Sequence, residues 1–247
     1  MANIERLKTG IDGLDNMLTG GVPLHNHTII TGGPGCGKTL LSFEILYNNA
    51  RDGIPGTFIA FEERPQDVLR NAKNAFAELD DIDDLIEKKM LNIVGEEMPQ
   101  KIESGETEEP TYAFGNIVSY VEDVIRQTGS KAVVLDSISL IKLMLGEKLT
   151  YRKSMISLMA NLRRLNVTSF ITVEMSSLDK ADIRFTPEFF LADGAIAMYQ
   201  SGNNEKRALN MDIIKMRGTS HSFAYAPYEI TPKGFKVFSL EQSSEMF

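Results

Sequence analysis

A mainly parallel β-sheet flanked by helices is the architecture expected of this 247-residue chain, on three grounds. First, a complete G-x-x-x-x-G-K-[ST] loop, Gly32-Gly-Pro-Gly-Cys-Gly-Lys-Thr39, stands between an apolar run and a helical pattern, the context a phosphate-binding loop requires. Second, apolar strands recur with helical patterns between them, which is the order that produces parallel pairing. Third, these strands end either in the loop or in a carboxylate, and in parallel sheets ligands gather at the C-terminal strand ends.

Thr28-Ile-Ile-Thr31 reads as a buried strand, and Leu40, Leu41, Phe43, Ile45 and Leu46 follow at helical spacing until Gly53. Gly56 to Glu63 is apolar and aromatic enough for a second strand, after which Pro65 opens a helix. Residues 96–110 carry Gly105 and no apolar period, and are expected as a long mobile acidic loop or insertion. Ile117, Val118, Val121, Val124 and Ile125 form one face of a helix over 114–128, stopped by Gly129. Lys131 to Ser137 is a third strand, followed by a helix over about 151–165 and a strand from Val167 to Glu174. Beyond Asp193 the pattern changes to antiparallel strands over 193–200, 207–217, 222–231 and 235–240, with turns at Asn203-Asn204 and Pro232-Lys-Gly234 and a tail at 241–247. No repeat of 20 to 50 residues is evident, so a single domain over 1–247 is expected.

Hydrophobic residues at 43% and charged residues at 24% are ordinary globular values, and no segment is apolar enough to span a membrane. Met1 to Gly10 is too polar for a secretory signal. With one cysteine, no intramolecular disulfide is possible, which suits a reducing cytoplasm. The net charge of −8 argues against a nucleic-acid partner, but residues 96–109 hold six Glu and one Lys, so the rest is nearly balanced. A basic surface of Lys142, Lys148, Arg152, Lys153, Arg163 and Arg164 keeps that partner open, against the plainer reading of solvated helix faces.

A triphosphate is a dense anion that must be desolvated and met by aligned donors, and the loop supplies them. Gly33, Gly35, Cys36, Gly37, Lys38, Thr39 and Leu40 are the residues expected to hold the nucleotide. Gly35 and Gly37 permit the turns that aim successive N–H groups inward, and the following helix adds its positive end. Lys38 is expected at the β- and γ-phosphates, and Thr39 on Mg²⁺. Asp136, closing an apolar strand, is the expected acid for the same ion, directly or through water. Glu62 and Glu63 are the candidate catalytic pair. Adjacent strand residues point to opposite faces, so one is expected to polarise water while the other supports it, in an order that spacing leaves open. Glu174 reads equally as a γ-phosphate sensor or a structural hydrogen-bonding group.

Lys215 and Arg217 alternate with Met216 at the end of a strand, so two cations project together far along the chain from the loop. Such a pair suits a γ-phosphate approached from outside, as an arginine finger does in cis or in trans. Cys36, beside Lys38 and a helix N-terminus, has surroundings that favour a thiolate, although a tolerated small residue is the plainer reading. His25 and His27 alternate on an expected strand and lack the further ligands a zinc site needs. Met155 and Met159 read as core and interface filler.

Together these residues resemble the single-domain KaiC-type ATPases of the RecA superfamily. The likeness runs from Thr9-Gly-Ile-Asp-Gly-Leu-Asp15 and Gly20-Gly-Val-Pro23, through Thr31 to Thr39, Phe61-Glu-Glu63 and Val133-Val-Leu-Asp-Ser137, to Lys215-Met-Arg-Gly-Thr-Ser-His221. It implies a RecA-like core, ATP between subunits of a homohexameric ring, and Glu62 and Glu63 as catalytic carboxylates. It also implies that Lys215 and Arg217 reach a neighbour's γ-phosphate while Ser220 and His221 approach its ribose and base. The adjacent Ser and Thr that self-phosphorylating domains of this type carry are missing from Phe189-Phe-Leu-Ala-Asp193, so the likeness favours hydrolysis over autokinase activity and carries no inference of circadian timing. Thr186, a nearby hydroxyl, is followed by Pro187.

The leading expectation is therefore slow Mg²⁺-dependent ATP hydrolysis that switches a homo-oligomeric ring, with a further protein partner left open. An ATP-dependent recombinase-like DNA binder is the first alternative, weakened by the lack of an aromatic-basic stacking platform. A non-hydrolysing or autokinase-type signalling scaffold is the second.

Overall fold

The computed structural model describes residues 4–95, 110–139, 142, 145, 148–175, 187–202 and 207–238. The acidic stretch 96–109, Thr186, Asn203-Asn204 and the 241–247 tail lie outside the described residues. In chain order the elements are β1 (Arg6–Leu7), α1 (Asp12–Met17), β2 (Val22–Pro23), β3 (His27–Gly32), α2 (Lys38–Arg51), β4 (Gly56–Ala60), α3 (Pro65–Ala75), α4 (Ile82–Glu87) and β5 (Leu91–Gly95). They continue as α5 (Pro110–Thr128), β6 (Ala132–Asp136), α6 (Lys148–Arg164), β7 (Thr168–Glu174), α7 (Pro187–Leu191), β8 (Gly194–Gly202), β9 (Arg207–Met216), β10 (Ala226–Thr231) and β11 (Gly234–Val237).

Nine strands form one sheet in the order β11-β10-β9-β8-β3-β7-β6-β4-β5. The six from β8 to β5 in that order are parallel, and β9, β10 and β11 add on antiparallel. Strands covered on both faces must be apolar on both, and these are. Ile30, Phe58, Val134 and Phe170 enter one core with α2, α3 and α4, whereas their neighbours Ile29, Ile59, Leu135 and Ile171 enter a second core with α5 and α6. Met155 and Met159 are buried in that second core.

The chain leaves β3 through α2 on one face, returns through α5 and α6 on the other, and then passes from β7 across β3 to β8. The reversal puts the C-terminal ends of β3, β4, β6 and β7 side by side, at the crevice where open parallel sheets take ligands.

Several boundaries differ from the sequence expectation. Pro110 already belongs to α5, which starts four residues before 114 because proline suits a helix's first turn. β10 starts at Ala226 instead of 222, since residues 220–225 are held by loop contacts rather than ladder bonds. His25 does not alternate with His27 on a strand: it has a positive φ of 63° and precedes β3. The second strand ends at Ala60, so Glu62 and Glu63 lie beyond the pleat and the opposite-face argument does not apply to them.

Candidate active site

Gly35 and Gly37 have φ of 75° and 88°, in the left-handed region open to glycine at little cost. Gly37 is also enclosed: a Cβ there would stand 2.6 Å from Ile230 Cδ1 and 3.1 Å from Phe235 Cζ, because the β10–β11 hairpin packs beneath the loop. The turn ends at α2, a 14-residue helix whose first residue is Lys38. Lys38 is buried, and its ammonium donates to the Gly33 carbonyl at 3.1 Å.

A cleft of about 280 Å³ opens above this turn, lined by Gly35, Gly37, Lys38, Thr39 and Leu40 from the loop and helix, and by Glu62, Glu63, Asp136, Ser137 and Glu174 from three neighbouring strand ends. Thr39 Oγ1 donates to Asp136 Oδ2 at 2.9 Å, and Thr172 donates to the other carboxylate oxygen. Burial pushes the Asp136 carboxyl above its ordinary range, opposed by the Thr172 and Thr39 hydroxyls and by Lys38. Oxygen donors from a hydroxyl and a buried carboxylate suit a hard cation such as Mg²⁺.

The two glutamates separate clearly. Glu62 is exposed to the cleft, lies near Lys38 and accepts a hydrogen bond from Ser137. Burial first, then the charges of Asp136 and Glu174, raise its carboxyl, while Ser137 and Lys38 oppose that rise. Glu63 lines the rim instead and accepts from Asn71 Nδ2 at 2.9 Å on the exposed side. Glu174 faces the cleft, and its N–H donates to Ser139 Oγ at 2.9 Å.

Cys36 corrects an expectation. Its side chain is fully buried, and that burial raises the thiol against the smaller pull of Lys38, so the surroundings favour the neutral form. Its carbonyl accepts from Tyr228 OH at 2.5 Å, which ties the loop to β10.

Lys215 and Arg217 stand elsewhere. Lys215 pairs with Ala195 on β8, which pairs with Ile29, three residues or about 10 Å short of Gly32 along the strand direction. β9 is also two strands removed from β3, roughly another 10 Å. Both cations bind the end of α7: Lys215 Nζ donates to the Phe189 carbonyl at 2.5 Å, and Arg217 Nη2 to that of Phe190 at 2.8 Å. Arg217 also faces Asp193 at 3.5 Å. Ser220 and His221 follow in a loop whose Ser220 carbonyl accepts from Thr19 Oγ1.

Sequence reasoning missed Thr172 and Asn71 and gave Ser137 no role. Thr172 carried a faint signal, a hydroxyl inside an apolar strand two residues before an acid. Asn71 had none, since helix faces are ordinarily polar.

The phosphate-loop turn on a central strand, the acid closing β6 and the antiparallel strands beyond β8 define a RecA-type fold of the P-loop nucleoside triphosphatases. The chain belongs to the KaiC ATPase family: the family model described as "ATPase: KaiC" matches residues 7–242. It is 29% identical to the circadian clock oscillator protein KaiC 1 of Synechocystis sp. over 238 residues, which cover 96% of this chain and 45% of that protein. The chain thus spans less than half the length of that relative. It is 31% identical over 240 residues to a UPF0273 protein of Aeropyrum pernix, covering 95% of this chain and 94% of the other. Among solved structures it is similar to the KaiC-like protein of the hyperthermophilic archaeon Pyrococcus horikoshii OT3, with a TM-score of 0.79 and 30% identity over 96% of this chain and all of that one. No helix among the described residues is long and apolar enough to cross a membrane.

Proposed function

We propose that this chain hydrolyses ATP with Mg²⁺ at sites shared between adjoining copies in a homo-oligomeric ring, expected as a hexamer, and that hydrolysis switches the ring's conformation. The family supplies ATPase chemistry. What supports a shared site is the placement of Lys215 and Arg217 at the opposite end of β3 from Lys38. Cations so placed serve an adjoining copy's γ-phosphate more readily than their own chain's.

In this scheme the amides of Gly35 to Leu40 and the Lys38 ammonium grip the polyphosphate. Thr39 and Asp136 would hold Mg²⁺, which would supply neutralisation of the negative charge on the phosphates. Glu62, turned into the cleft and oriented by Ser137, polarises the attacking water and receives its proton. Glu63 supports from the rim.

A DNA-binding role fits less well. Of the six basic residues that suggested it, Lys142, Arg163 and Arg164 pair with Glu188, Asp193 and Glu122. An autokinase role lacks acceptor hydroxyls at Phe189 to Asp193, where α7 and β8 meet.

The deciding experiment mixes a Lys215→Ala/Arg217→Ala variant with a Glu62→Gln/Glu63→Gln variant, each inactive alone. Phosphate release that returns on mixing is expected, because some interfaces then combine an intact cleft with intact cations. Continued inactivity, with both variants still folded and binding ATP, would rule out the shared site.

A further inference from the structure

A second cavity, of about 760 Å³, lies between α1 and the β10–β11 hairpin and shares no lining residue with the cleft above the phosphate loop. Its size is that of small-molecule sites. Ile11, Met17, Ala226, Phe235 and Val237 give it apolar walls, and all five are buried. Asp12 and Asn16 stand exposed at its mouth.

One lining side chain is out of keeping with those walls. Glu44, on α2 six residues beyond Lys38, is only 8% exposed. Its Oε2 accepts from the Phe235 N–H at 2.8 Å, while Oε1 has no donor among the described residues. Gly234 leaves that oxygen clear, since a Cβ there would stand 2.3 Å from it. No lysine or arginine among the described residues pairs with this carboxyl, and burial raises it to about 7 with only the Phe235 amide in opposition. The two lysines that line the cavity are turned elsewhere. Lys233 Nζ lies 3.1 Å from Glu78, and Lys236 Nζ 4.7 Å from the centre of the Phe238 ring.

These contacts fix the sign of a ligand. An anion entering the cavity would meet a buried carboxylate, and a neutral apolar molecule would leave Oε1 without a donor. A protonated amine supplies both the missing donor and the missing charge. We propose that this cavity binds a small organic cation, a primary ammonium on a compact apolar body, with the ammonium on Glu44 Oε1 and the body against Phe235 and Val237. The site stands independently of the shared nucleotide site.

Calorimetric titration of the full chain at pH 8 with benzylamine hydrochloride, against benzyl alcohol as the uncharged molecule of the same shape, tests it. The amine is expected to bind saturably and at least about tenfold more tightly than the alcohol, the difference that one charge-assisted hydrogen bond supplies. Glu44→Gln should abolish that preference, and saturating Mg²⁺-ATP should leave it unchanged. Asn16→Phe, an exposed substitution that narrows the mouth, should weaken both probes while Glu44 stays intact. Equal affinity for amine and alcohol in the unmodified protein, or binding of neither, would leave a solvated groove and overturn the proposal. A preference that survives Glu44→Gln would overturn it by placing the amine at another acid, and displacement by ATP would do so by placing it in the phosphate cleft. Should Glu44→Gln fail to fold, Asn16→Phe decides alone: undiminished binding of the amine would refute the site.

Discussion

Thr39 Oγ1 and Asp136 Oδ2, 97 residues apart in the chain, lie 2.9 Å from one another at the mouth of the cleft. The contact joins the start of α2 to the end of β6, and it buries a carboxylate whose ionised form burial disfavours. Replacing Asp136 with Asn should therefore have opposite effects on stability and function. Thermal melting of the nucleotide-free protein is expected to rise, because a buried charge is removed from a site built for a cation. The Mg²⁺-dependent part of ATP affinity should disappear in the same variant. A fall in melting temperature together with unchanged Mg²⁺ dependence would remove Asp136 from the metal site.

Glu62 and Glu63 should separate in kinetics as they do in space. Glu62→Gln is expected to lower turnover by about 10²- to 10⁴-fold, the usual contribution of a positioned base, with ATP binding retained. Glu63→Gln should cost much less. Because burial raises the Glu62 carboxyl, the acid limb of the pH–rate profile should lie above the ordinary glutamate range and remain in the Glu63 variant. Equal losses from the two substitutions would mean that neither residue alone is the base.

Gly37→Ala tests the loop's backbone. The substitution forces a Cβ into the left-handed region at φ 88° and toward Ile230 and Phe235. Strain of this kind costs about 1 to 3 kcal/mol, so urea unfolding should show a loss in that range. Weaker ATP binding, measured by dialysis, should accompany it. An unchanged midpoint would show that the hairpin yields easily.

Glu44 gives the stability a pH dependence. On α2 it is buried, accepts from the Phe235 N–H at 2.8 Å, and burial raises its carboxyl from 4.5 to about 7 despite that bond. A raised acid favours folding in its protonated form, so its contribution is complete below pH 4.5 and is lost as pH rises to about 7. A shift of this size corresponds to about 3 kcal/mol. Glu44→Gln keeps an acceptor for Phe235 without the charge. Its urea midpoint should gain on that of the unmodified protein as pH rises from 5 to 8. A constant difference across that range would count against this role.

The strand-and-helix order was readable because strands covered on both faces must be apolar throughout, as Ile29-Ile30 and Val133-Val134 are. The phosphate loop was readable because Gly37 answers a backbone requirement local to a few residues. Boundaries at Ala60 and Ala226 were less legible, since a strand stops where its partners stop, and those partners are distant in sequence. The Cys36 expectation failed for a related reason: its charged neighbours are adjacent in sequence, whereas the burial that outweighs them comes from tertiary packing.

The chain's own order of residues determined the α/β class, the phosphate loop and the acids closing its strands, because each follows from local backbone geometry or from periodic burial. Only the folded molecule decided that Glu62 turns into the cleft and Glu63 to its rim, that Thr172 and Ser137 orient the acids, and that Lys215 stands at the far end of β3. Those facts depend on which strands lie side by side and in what register, and register is fixed by packing across the whole sheet.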